Sequence, residues 1–116
     1  MHELSIVQNI VETADAFARE NEIRNIQFLT VTIGANTGVI PRYVRMYYKD
    51  LCADTALEGS ELRIEEMESE CFCRECGEVF KPGKKQPQLI TCPACGGDDL
   101  EVLHGNELMI KEIGYE

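Results

Sequence analysis

The apolar positions of this chain change rhythm along its length. Leu4, Val7, Val11, Ala14 and Ala18 recur every three or four residues, and Ile6, Ile10 and Phe17 widen the stripe. Gln8, Glu12, Asp15 and Arg19 fall on the opposite side. That spacing predicts an amphipathic helix ending near Asn21. The rhythm then shortens to two. Leu29, Val31 and Ile33 alternate with Thr30 and Thr32, which predicts a half-buried strand over Ile26 to Ile33. Gly34 to Gly38 reads as a loop. Pro41 suits the first position of a second helix, where its missing N–H would have no partner anyway. Val44, Tyr47, Tyr48 and Leu51 give that helix its apolar face. Helical spacing makes this stripe core and not a cofactor box.

Asp54 to Ser60 is turn-like. Leu62 and Ile64 begin a second strand, and the acidic stretch Glu65, Glu66, Glu68 and Glu70 reads as a solvated face. Towards the end, Val102 and Leu103 precede a turn at Gly105-Asn106. Leu108 and Ile110 then alternate with Met109 and Lys111. No internal repeat and no low-complexity segment interrupts the pattern.

Between these last strands lie two cysteine pairs, Cys73-Arg-Glu-Cys76 and Cys92-Pro-Ala-Cys95. Their spacing matches a closed tetrahedral zinc site. Each pair places two thiolates on one tight loop, and Gly77 or Gly96-Gly97 follows to let the backbone turn its N–H groups toward sulfur. Four thiolates leave no open position, so the site is expected to be structural. Two disulfides or a redox Cys-x-x-Cys are the alternatives. The doubled pair in a chain read as lacking an export signal argues against both. Cys71 lies two residues before Cys73 and could offer another thiolate, but the tight loop from Cys73 to Cys76 is favoured. Cys52 falls on the buried side of the second helix, as free cysteines commonly do.

The expected fold is therefore α+β. Two helices pack on a small, mostly antiparallel three-stranded sheet, with an inserted zinc-ribbon-like knob. The domain division is residues 1–69 plus 102–116 for the α+β part and 70–101 for the zinc-binding part.

Composition narrows the function. Hydrophobic content of 44% in 116 residues supports one modest core, and the absence of Trp makes it mainly aliphatic. The net charge of −10 works against phosphate-backbone binding, so no nucleic acid is expected. The knob is near neutral, and the Lys81 to Lys85 run reads as a solvated turn. No run approaches a membrane span, and the beginning Met-His-Glu has no secretory pattern. A cytoplasmic location with reduced thiols follows as the expectation.

Met1-His2-Glu3 adds a second metal-binding possibility. The amine, the deprotonated His2 amide and the His2 imidazole can chelate one ion in fused rings. Such an all-nitrogen set suits square-planar Ni(II) or Cu(II) better than Zn(II). By itself an initial Met-His is a weak signal.

Together these features resemble one family. Met1-His2-Glu3-Leu4-Ser5-Ile6, the loop Ile33-Gly34-x-x-x-Gly38-Val39, the doubled Cys-x-x-Cys and the ending Gly105-Asn106-Glu107-Leu108-x-Ile110 look like HypA and its paralogue HybF. The resemblance covers essentially the whole chain. It implies a nickel metallochaperone, not an enzyme, for hydrogenase maturation. It implies Ni(II) as transient cargo at His2, with Glu3 associated with that site, and structural Zn(II) at Cys73, Cys76, Cys92 and Cys95. It implies as partners a HypB-type GTPase, the [NiFe]-hydrogenase large-subunit precursor and, in some organisms, urease accessory proteins. A zinc-ribbon adaptor without nickel delivery is the alternative. His104 reads as an exposed turn residue or as a transient metal contact.

Overall fold

The computed structural model describes residues 3–82 and 90–116. His2, Lys84 and Lys85 lie outside the described residues. Helix α1 runs Glu3–Glu20, with Glu3 in its first turn and Arg19 in its last, each matched to the helix dipole. It closes by a Schellman arrangement: the N–H groups of Glu22 and Ile23 donate to the carbonyls of Arg19 and Ala18. Glu22 takes the left-handed φ of 58° that this closure requires. Strand β1 follows at Ile26–Gly34, then a single 3-10 turn at Ala35–Thr37. Helix α2 spans Pro41–Leu51 with Pro41 in its first turn, as its sequence predicts. The remaining strands are β2 (Glu61–Met67), β3 (Glu70–Cys73), β4 (Val79–Phe80), β5 (Leu100–His104) and β6 (Leu108–Tyr115).

These strands form two three-stranded sheets, ordered β2-β1-β6 and β4-β3-β5. In the first, β1 pairs in parallel with β2 and antiparallel with β6. The main sheet is thus evenly mixed, while both pairings of the small sheet are antiparallel. A parallel pair needs a crossover connection, and the chain supplies one by leaving β1 and returning to β2 through α2.

One face of the main sheet is buried under both helices. Val7, Ile10, Val11, Ala14 and Ala18 of α1 meet Leu29, Val31 and Ile33 of β1 and Val44 and Tyr48 of α2. Leu4 and Phe17, counted on the apolar stripe, are instead 44% and 36% exposed. The buried positions of α1 run from Val7 to Ala18, with Ile6 packed against them, and Phe17 packs edge-on to Tyr115 at the end of β6. The opposite face of the sheet is polar: Lys111 pairs with Glu65, and Arg63 stacks over the Phe28 ring. Thr32 is nonetheless buried.

The small sheet has a different character. Among the described residues, Cys71 and Cys73 are buried in its strands and Ser69 and Cys92 in the adjoining chain, and none of them joins the apolar cluster of the main part. The molecule is elongated, 54 × 24 × 17 Å. The two sheets are joined by the chain between β2 and β3 and by the turn between β5 and β6.

Candidate metal centre

β3 delivers Cys73 to the base of a tight loop. The Cys73 N–H donates to the Glu78 carbonyl at 2.8 Å, and the Gly77 N–H donates back to the Cys73 carbonyl at 2.8 Å. The second loop repeats the pattern. Cys92 N–H reaches the Gly97 carbonyl at 2.9 Å, and Gly96 N–H reaches the Cys92 carbonyl at 2.8 Å. Both closures turn on a left-handed glycine, Gly77 at φ 80° and Gly96 at φ 74°, where a side chain would be strained. The Gly97 N–H also points at Cys95 Sγ, 3.4 Å away. Arg74 joins the two halves: its N–H donates to the Asp99 carbonyl and its guanidinium to the Asp99 carboxylate, each at 3.0 Å.

The two loops bring four sulfurs together. The Sγ atoms of Cys73, Cys76, Cys92 and Cys95 all lie within 4.8 Å of one another. Cys73 and Cys95 are 3.6 Å apart at sulfur, and Cys76 and Cys92 are 3.5 Å apart. A zinc ion about 2.3 Å from each of four tetrahedral sulfurs separates them by about 3.8 Å. The donor set therefore fits zinc. The first cysteine of each pair is buried and the second exposed, so the cluster sits at the surface with its back to the small sheet. Burial pushes the Cys92 thiol up, but N–H groups of Cys95 and Ala94 and the neighbouring sulfurs outweigh it and hold it at about 7. At Cys76 the Glu78 N–H pulls down while the other three sulfurs push up, leaving that thiol at about 12. Four thiols this close compete for charge, and a dication removes the competition.

Cys71 stands apart from this cluster. It lies in β3 opposite Phe80 and Val102, and burial raises its thiol above the ordinary range against the pull of the Ser69 hydroxyl. Cys52 is buried beside Tyr48 and Ser60 in the main core.

Glu3 is part of a contact that its sequence position does not reveal. Its Oε2 accepts from the Ile40 N–H at 3.3 Å, at the start of α2. The amino-terminal turn of α1 is thereby tied to the amino-terminal turn of α2. His104 is exposed in β5, as expected of a residue beside a turn, and its Nδ1 donates to Glu107 Oε2 at 2.9 Å. The other oxygen of Glu107 accepts the Gly105 N–H at 2.6 Å. The bond from His104, then that from Gly105, holds the Glu107 carboxyl below the ordinary glutamate range. Sequence reasoning passed over Glu107 as a site. A carboxylate two residues after a turn glycine is the signal that could have found it.

The whole chain is similar to one group of known proteins. The family model described as "Hydrogenase/urease nickel incorporation, metallochaperone, hypA" matches residues 1–115. The hydrogenase maturation factor HypA of Geobacter metallireducens is 36% identical over 116 residues, covering 100% of both chains. That of Dehalococcoides mccartyi strain CBDB1 is 36% identical over 113 residues, covering 97% of this chain and 92% of the relative. The solution structure of the nickel metallochaperone HypA from Helicobacter pylori superposes with a TM-score of 0.68 at 22% identity. It covers 99% of this chain and 97% of the other, which shows a shared fold.

Proposed function

The chain belongs to the HypA family of hydrogenase and urease nickel-incorporation metallochaperones, and from that premise we propose that it binds Ni(II) at its amino terminus and delivers it to an immature [NiFe]-hydrogenase large subunit. The observation that carries this reading is a family match that begins at residue 1 and runs to 115. It takes in the Met1-His2-Glu3 start as well as the cysteine cluster.

In this reading the terminal amine, the His2 amide and the His2 imidazole hold the nickel. Helix α1 begins at Glu3, immediately behind His2, and the Glu3 bond to Ile40 anchors the residue to which His2 is attached. Glu3 then serves first to position the terminus and second as a ligand. All three nitrogen donors gain protons as pH falls, so acidification releases the cargo.

Cys73, Cys76, Cys92 and Cys95 hold a resident zinc whose role is structural. The support for that role is the burial pattern. The small sheet buries cysteines where another domain would bury leucines, so metal binding replaces an apolar core. Residues 1–69 with 102–116 form the nickel-handling part and 70–101 the zinc-binding part. The partners are a HypB-type GTPase, the hydrogenase precursor and, in urease-bearing cells, urease accessory proteins, all in the cytoplasm. Among the described residues no helix is long and apolar enough to cross a membrane.

Calorimetric Ni(II) titration of the untagged, zinc-loaded protein tests the proposal. Nickel affinity should fall at least tenfold in His2→Ala and also when residues are added before Met1, with zinc content unchanged. Unchanged affinity in His2→Ala rejects the amino-terminal nickel site. Unchanged affinity in the extended protein alone rejects the amine as a ligand.

A further inference from the structure

We propose that the groove between α2 and the outer edge of β2 is a docking site for an extended acidic segment of a partner protein. This surface is separate from the four-cysteine cluster. Arg42, Arg45 and Lys49 stand at helical spacing on the exposed face of α2. They concentrate three of the chain's 11 basic side chains within one short helix of a protein whose net charge is −10. Met46, 51% exposed, lies on the same side. Among the described residues, none of these three cations is in an ion pair with a carboxylate. Arg42 rests instead on Tyr43, and Arg45 donates to the Leu62 carbonyl at 3.0 Å.

The groove beside this stripe has a volume of about 450 Å³. Its floor is apolar, with Leu57 and Leu62, and its wall is the Tyr48–Ser60 hydroxyl pair at 2.6 Å. Arg45 and Lys49 stand at its rim. Glu61 also borders it, but its carboxylate is held by Arg63 at 3.0 Å.

Three features select the occupant. The basic rim calls for carboxylates. The apolar floor calls for at least one aliphatic side chain among them, which favours a peptide over a nucleic acid, as does the chain's overall charge. Finally, β2 is the outer strand of its sheet, so its edge, where Arg45 already holds the Leu62 carbonyl, offers further backbone groups to an extended segment.

The test uses the zinc-loaded full chain and a fluorescent probe, a short peptide of glutamates around a central leucine. The expected result is saturable binding that weakens with salt, with amide shifts confined to residues 42–62. Reversing two charges of the basic stripe, Arg42→Glu with Lys49→Glu at the rim, should weaken it about tenfold. Both side chains are exposed, and matching amide shifts elsewhere would verify the fold. Arg24→Glu, an exposed cation outside the stripe, should leave binding unchanged. The proposal is overturned by absence of binding, by equal binding to the doubly reversed variant, or by equal binding of the lysine counterpart of the peptide. Tighter binding of a DNA duplex to the same face also overturns it.

Discussion

Gly34 and Gly105 lie backbone against backbone, at the point where the main sheet meets the small one. The Gly34 N–H donates to the Glu107 carbonyl and the Asn36 N–H to the Gly105 carbonyl, both at 2.7 Å. Side chains reinforce the seam, with Asn36 Nδ2 donating to Asn106 Oδ1 at 3.1 Å. A Cβ on Gly34 would run into the Gly105 carbonyl, and one on Gly105 would press on Asn36 and the Ser69 backbone. The loop after β1 and the turn before β6 thus form one joint, at one of the two connections between the sheets.

Gly34→Ala should therefore destabilise the protein by about 2 kcal/mol, because the obstructing atoms are backbone and cannot swing aside. Urea unfolding of the zinc-loaded protein measures this. A change below about 0.5 kcal/mol would mean that the joint yields more readily than its hydrogen bonds suggest.

Glu107 makes that joint sensitive to acid. Its carboxyl is held below the ordinary glutamate value of 4.5, first by His104 and then by the Gly105 N–H. The folded state thus favours the charged form, and the stabilisation is fully present above the unfolded-state value. It is lost as pH falls through the lower, folded value. Glu107→Gln should be less stable than wild type at neutral pH, and the gap should close in acid. Parallel unfolding curves across that range would show no such linkage.

Removing one knob thiolate separates the two halves of the molecule. Cys76→Ser should lose zinc and leave the knob protease-sensitive. The core of Val7, Leu29, Val31 and Val44 should stay folded, since no knob residue belongs to it. Cys71→Ser should keep its zinc, because Cys71 stands outside the four-sulfur cluster. Metal analysis and limited proteolysis check both; zinc loss in Cys71→Ser would put that thiol among the ligands.

Glu3→Ala takes away the acceptor for the Ile40 N–H at the positive end of α2. It should cost about 1 kcal/mol. Glu3→Gln retains a side-chain oxygen and should cost less. If Glu3 acts mainly by positioning, both variants should weaken nickel binding less than His2→Ala does. Thermal melting and nickel titration, run on the same three variants, give the comparison.

What the sequence alone determined is local. The spacing of Val7, Val11, Ala14 and Ala18, the alternation from Leu29 to Ile33 and Pro41 at the head of α2 each set an element through neighbours a few residues away. The doubled Cys-x-x-Cys is equally local, since each loop is closed by its own backbone and its own glycine. Tertiary structure decided what depends on distant partners. The parallel pairing of β1 with β2, the separate small sheet and the Glu3 bond to Ile40 belong to this group. So does the meeting of Gly34 with Gly105, where two ordinary-looking turn glycines prove to be each other's steric limit. Side-chain periodicity states which face is buried, but not against what. Only the folded chain brings together the residues that answer that.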